Sequence, residues 1–257
     1  MTSIETLPFF ADKIIHDITT MAHREYGNEA YRVTTEDQIY VVRRLKRGET
    51  DAQVEYRAGR LAHAAGIAPE IFCYDADRAL TVLALVPGEH RVHLRDVEII
   101  HLARALRRLH TLPYRDEDLP KIDLRHLIEP DRPEIIEAFA TVERFPLQPA
   151  LCHHDLTPRN ILWNHDEPLL IDFEFAGVGD VCFDLAAVCV EFGLSGDARD
   201  LFLLEYFGTV SCPEEKLLAW ETLYRALRRQ WFARHGIENL PYSEDDIKNS
   251  HTEFDFG

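Results

Sequence analysis

The chain has 257 residues, 46% of them apolar and 10% aromatic, enough to bury a large core in one domain or in two lobes. Its formal net charge of −17 argues against nucleic acid or an anionic membrane as the main partner, and no apolar run approaches the length that spans a bilayer. The opening MTSIETLPFF has neither a basic stretch nor a long apolar one, and the five scattered cysteines (Cys73, Cys152, Cys182, Cys189, Cys212) form no Cys-x-x-Cys pair, so a cytoplasmic protein with reduced thiols is expected.

Ile14, Ile15, Ile18 and Met21 recur at helical spacing, which predicts a short amphipathic helix over 11–23. Residues 29–34 and 38–45 are β-type runs split by Thr35-Glu36-Asp37, a hairpin pattern. The second run carries Arg43 and Arg44, which strand alternation sends to opposite faces, so one of them should point into a cleft. Val54, Ala58, Leu61 and Ala65 form the stripe of a helix over 51–65, with Glu55 on its shoulder and Gly66 and Pro69 ending it. Two further strands at 71–74 and 80–86 complete a five-stranded antiparallel sheet only if the hairpin before them contributes a further strand. Pro87-Gly88 reads as a hinge.

From Leu94 the pattern is helical, with Ile99, Leu102, Leu106 and Leu109 as a stripe that ends at His110. Residues 114–132 form a polar, proline-punctuated connector, and Ile135, Ile136, Phe139 and Val142 mark another helix. Two acid-bearing loops follow. Asp155 and Asn160 can converge because Thr157-Pro158 turns the chain between them. The second loop follows the short strand Leu169-Leu170-Ile171 and carries Asp172, Phe173 and Glu174.

Two strands joined by a turn at 164–168 would gather Asp155, Asn160 and Asp172 around one cavity. Asp155 can then take a proton from an attacking hydroxyl, while Asn160 and Asp172 offer hard oxygen ligands suited to magnesium beside a phosphate chain. His153 is expected to brace the loop, His154 has no assigned role, and adjacent histidines rarely chelate one zinc ion.

Asp184 opens a helix that runs through Glu191, where it is expected to cap free backbone donors and brace the loop. A last helix over 213–234 sets Leu217, Trp220, Tyr224, Leu227 and Trp231 on one stripe. The plain reading of that stripe is core. The sharper one is an aromatic surface for an ammonium group, with Glu191 or Glu174 as counter-charge.

His-x-Asp-x-x-x-x-Asn at 153–160, Ile-Asp-Phe-Glu-Phe-Ala-Gly at 171–177, Gly179-Asp180 and Phe183-Asp184-Leu185-Ala186 together resemble the aminoglycoside phosphotransferase and choline kinase superfamily, relatives of the protein kinases. Glu174 stands where a protein kinase shows glycine, which favours the small-molecule branch. With Glu191-Phe192 the pattern most resembles the choline and ethanolamine kinases. The resemblance implies an α+β, two-lobed, protein-kinase-like fold, with a small antiparallel-sheet lobe over 1–86 and a larger, mostly helical lobe over 87–257. It implies that Arg43, ending Tyr-Val-Val-Arg, grips the phosphates of ATP with Glu55 as partner. Asn28 would sit in the phosphate-covering hairpin, although Arg24-Glu25 replace the usual glycines, and the backbone around Leu85 would hold adenine.

His110 would pack beneath the loop. The implied activity moves the γ-phosphoryl group of ATP, with Mg2+ held by Asn160 and Asp172, to the hydroxyl of a small cationic alcohol facing Glu174, Glu191 and Trp231. An aminoglycoside, thiamine or sugar acceptor, an inactive nucleotide-binding protein and a metal hydrolase remain as alternatives. The oligomeric state is not legible.

Overall fold

The computed structural model describes residues 4–23, 29–44, 49–115, 119–208 and 213–234. Its first half is a five-stranded antiparallel sheet built from β1 (Ile15–His23), β2 (Glu29–Thr35), β3 (Ile39–Arg44), β4 (Ile71–Asp75) and β5 (Leu80–Ala84), in the order β1-β2-β3-β5-β4. Helix α1 (Glu49–Ala64) connects β3 to β4. On β3, Tyr40 and Val42 are buried with Val33, Leu80 and Val82 beneath the opening segment of Ile4, Leu7 and Phe10. Alternation therefore sends Val41 and Arg43 to the other face, where α1 lies.

The strand β1 corrects the expected helix over 11–23. It pairs antiparallel with β2, and its register slips between Ile15 and Asp17 and again between Thr20 and Ala22. Each β-bulge adds one residue to the strand, so Ile15, Ile18 and Met21 share the inner side at a spacing of three. A bulged strand rich in Ile and Thr thus imitates helical periodicity. The same strand supplies the fifth member that the sheet needed.

The second half is mostly helical: α2 (Asp96–His110), α3 (Pro133–Glu143), α4 (Val181–Glu191), α5 (Gly196–Phe207) and α6 (Glu214–Arg234). The α2 stripe of Ile99, Leu102, Leu106 and Leu109 is buried as expected, each side chain contributing about 2 kcal/mol. Helix α5 was not expected; its signals are Ser195 at the N-cap and the buried pair Phe202 and Tyr206 one turn apart. Between α3 and α4 run β6 (Pro149–Cys152), paired with β9 (Gly177–Asp180), and the hairpin of β7 (Ile161–Asn164) and β8 (Glu167–Leu170). Among the described residues, no helix is long and apolar enough to cross a membrane.

Candidate active site

The expected convergence forms at the open end of the β7–β8 hairpin. A short 3-10 turn, Pro158–Asn160, bends the chain back after Asp155. There the Asn160 side-chain amide donates to Asp155 Oδ2 at 2.6 Å and to the Asp155 carbonyl at 2.8 Å. Both donors being spent on Asp155, the Asn160 carboxamide oxygen is the atom that could ligate a cation. The Ile171 amide donates to the Asn160 carbonyl at 3.0 Å, which brings Asp172 up beside the turn. Asp172 itself adopts a left-handed backbone, φ 68°, a conformation that aspartate tolerates better than most residues.

Arg43 joins this group from the sheet. Its guanidinium meets Glu55 through Nη1 and Asp172 Oδ1 through Nη2 at 2.7 Å, so the expected pair with Glu55 forms and reaches a second acid. Burial pushes the Glu55 carboxyl up against the charge of Arg43, with Asp172 and Glu174 adding to the rise. Asp155 is pushed up to about 7, first by burial and then by the charge of Asp172, with smaller contributions from Glu174 and Glu191 and an opposing one from Asn160.

Asp172 and Glu174 thus act both on Asp155 and on the Arg43–Glu55 pair. A site so rich in negative charge would repel a triphosphate unless a divalent cation came with it. The hard oxygens of Asn160 and Asp172 suit magnesium, so the residues fit that ion.

The loop carrying Asp155 rests on Asp184. This fully buried carboxylate accepts from the amides of His153 at 2.7 Å and His154 at 3.0 Å, and lies 3.1 Å from His110 Nε2. The expected brace is present, but the cap of α4 is Asp180, whose side chain accepts from the Cys182 amide. Asp184 sits one turn inside the helix and spends its oxygens on the loop. His110 is fixed on its other side by the Tyr206 hydroxyl at 2.7 Å. His153 bridges within the loop, Nδ1 accepting from the Asp155 amide at 3.3 Å and Nε2 facing the Ile171 carbonyl at 2.9 Å.

His154 is buried with φ 63° against Gly179, whose missing Cβ makes room for the ring. Burial lowers its pKa from 6.5 to about 4, although the charge of Asp184 works the other way. Between those values the unfolded chain binds the proton and the fold does not. Stability is therefore complete above pH 6.5 and falls as the pH drops toward 4, by about 3 kcal/mol for this group. Asparagine tolerates the left-handed backbone and does not titrate, so His154→Asn should flatten this part of the stability curve, read by urea unfolding at several pH values. Parallel curves for the two proteins would refute the assignment.

The remaining expected residues are less gathered. Glu174 lies close enough to act on Arg43, Glu55 and Asp155. Glu191 is buried and already engaged, accepting from the Tyr224 hydroxyl at 2.8 Å and pairing with Arg228 Nε at 3.2 Å. Trp231 is 39% exposed and packs edge-on against Phe232, while Leu217, Trp220 and Tyr224 of the same stripe are core. The Leu85 amide faces the Ile39 carbonyl at a long 3.4 Å. Asn28 lies outside the described residues. One cluster had escaped the sequence reading: buried Glu98 with Arg91 and Arg95, signalled by an acid three residues after the N-cap Arg95 of α2.

Comparison with known proteins adds the following. Residues 20–220 match the family described as a phosphotransferase enzyme family. A choline/ethanolamine kinase family protein from Mesorhizobium loti superposes with a TM-score of 0.70 at 17% identity, over 98% of this chain and 92% of that one. The choline kinase LicA from Streptococcus pneumoniae gives 0.68 at 15% identity, over 93% and 92%. A LicA structure in complex with AMP gives 0.66 at 16% identity, over 95% and 92%. In sequence, protein LicA of Haemophilus influenzae is 45% identical over 56 residues, which are 22% of this chain and 21% of that protein. The matched stretch is thus about a fifth of that relative's length.

Proposed function

The chain belongs to the phosphotransferase enzyme family, and from that premise we propose that it moves the γ-phosphoryl group of ATP to the hydroxyl of a small cationic alcohol of the choline or ethanolamine type. The observation that carries this reading is the Asp155–Asn160 contact beside an Asp172 already tied to Arg43. A proton acceptor, a pair of hard oxygens and a phosphate-binding guanidinium then share one site. The AMP complex of LicA supports a nucleotide as donor, and the choline and ethanolamine kinase neighbours support the acceptor class.

In this reading the chain works as two lobes, 1–86 and 87–257, with ATP between them and adenine against the backbone near Leu85. The acceptor hydroxyl attacks the γ-phosphorus as the bond to the ADP oxygen breaks, and its proton passes to the Asp155 carboxylate. Asn160 and Asp172 would hold magnesium, which supplies charge neutralisation along the phosphates when bound. Arg43, steadied by Glu55, grips phosphate oxygens with two donors. Glu174 adds negative charge on the acceptor side.

One observation favours a second reading of the acceptor. Glu191, the expected counter-charge, is already paired with Arg228, so an ammonium group there would have to compete with a guanidinium. An uncharged sugar or polyol acceptor would face no such competition. A panel of choline, ethanolamine, an aminoglycoside, thiamine and simple sugars with labelled ATP decides between them. Choline or ethanolamine should give the highest kcat/KM, by tenfold or more. Faster transfer to a neutral sugar would replace the first reading with the second.

A further inference from the structure

The segment that joins the sheet half to the helical half is fastened to the hairpin bearing Asn160 and Asp172. Gly88 lies directly on β7, where a Cβ would stand 2.7 Å from Leu162 Cγ and 2.9 Å from the Trp163 carbonyl oxygen. Glu89 and Trp163 exchange backbone hydrogen bonds of 3.0 and 2.8 Å. His90 Nδ1 meets the Ile161 carbonyl at 2.9 Å, and the Arg91 guanidinium lies 5.6 Å from the centre of the Trp163 ring.

Behind this seam sits Glu98, 1% exposed. Its carboxylate accepts from Arg91 Nη1, from the Arg95 amide at 2.7 Å, and from Arg95 Nη2 and Nε at 2.6 and 3.0 Å. Arg95 Nη2 also reaches Asp166 on the turn between β7 and β8, and His101 Nδ1 meets the Asp166 carbonyl at 2.9 Å. Burial alone would raise the pKa of Glu98; the Arg95 hydrogen bonds, with the charge of Arg91, outweigh it and hold the group ionised, below the usual glutamate range.

Only the carboxylate of this ion cluster is buried, and taking a charge out of water is a poor way to gain stability, since apolar packing of the same volume does as well or better. What the carboxylate gives that a leucine would not is direction: its bonds fix how the 88–95 segment and the turn at Asp166 lie against one another. We propose that Glu98 is a positioning residue, which through Arg91 and Arg95 holds the β7–β8 hairpin so that Asn160 and Asp172, at its open end opposite the Asp166 turn, keep the spacing that a shared cation requires. This rests on the reading of Asn160 and Asp172 as cation ligands.

The test is calorimetric binding of ADP with and without Mg2+, which needs no turnover and no known acceptor. In the native protein magnesium should tighten ADP binding. Glu98→Gln should cut that enhancement by about tenfold, the effect expected of groups that orient ligands from behind, while ADP affinity without magnesium stays within about twofold. Arg95→Ala removes a side chain that is 64% exposed and leaves the buried carboxylate with Arg91, so it should fold and show a smaller loss of the same kind.

A folded Glu98→Gln protein with the full enhancement, or an equal loss with and without magnesium, overturns the proposal. If Glu98→Gln does not fold, an undiminished enhancement in Arg95→Ala overturns it instead. A native protein whose ADP affinity ignores magnesium would sink the cation reading itself, and the proposal with it.

Discussion

Asp155→Asn is expected to lower kcat on the order of a thousandfold, the range of a lost proton acceptor, while the unfolding temperature stays level or rises. The substitution keeps the shape and an oxygen to accept from the Asn160 amide, which now lies 2.6 Å from Asp155 Oδ2. It removes a carboxyl pushed up to about 7 by burial and by Asp172. A raised acid binds its proton in the fold before it does in the unfolded chain. The native protein therefore loses stability as pH rises from 3.8 through 7, and the uncharged variant does not. The stability gain should be larger at pH 8 than at pH 5. Retained turnover would place the proton acceptor elsewhere, and a large loss of stability would make Asp155 a structural residue.

Asp184→Asn should produce the largest loss of stability, about 3 kcal/mol, and with it a fall in kcat of about a hundredfold. Burial opposes the ionised carboxylate, but the hydrogen bond and charge of His110, with His154 and the loop amides, hold it at about 2. Because that value lies below the unfolded 3.8, its contribution is complete above pH 3.8 and is lost as pH falls through about 2. A carboxamide can accept from only one side. Its amino group would face the amide of His153 or His154, or the His110 ring, leaving a buried donor unpaired. Those amides belong to the residues just before Asp155, so the cost should appear in turnover as well as in urea unfolding. A variant within 1 kcal/mol of the native protein would show that the loop is held by other contacts.

What could be read from the amino-acid order alone was whatever is local. The turn at Thr157-Pro158, the strands on either side of Asn164 and the acids at 155 and 172 lie within twenty residues, and their convergence needs only one hairpin. For the Arg43–Glu55 pair, strand alternation says only that one of Arg43 and Arg44 faces the cleft and the helix stripe puts Glu55 on its shoulder; the family resemblance points to Arg43. The opening strand was not legible, since its two bulges gave three-residue spacing to a sheet edge. Gly88 reads only as a hinge signal, and the close approach to Leu162 and Trp163 that its smallness also permits depends on distant residues. The closure of Glu191 by Arg228 comes from α6 packing on α4, a tertiary event that neither helix announces. Asp184 carried a capping signal that Asp180 in fact fulfils, because two acids four residues apart compete for one helix end.

The most direct measurement follows phosphorus by NMR in mixtures of ATP, Mg2+ and choline or ethanolamine, with the native protein beside Asp172→Ala. The native protein should convert the γ-phosphate signal into a phosphomonoester of the alcohol and release ADP, and the Asp172→Ala protein, folded as judged by its unfolding transition, should do so at least a hundredfold more slowly. Equal phosphomonoester formation by the two proteins would contradict the account, because phosphoryl transfer would then not depend on the acid that ends the hairpin.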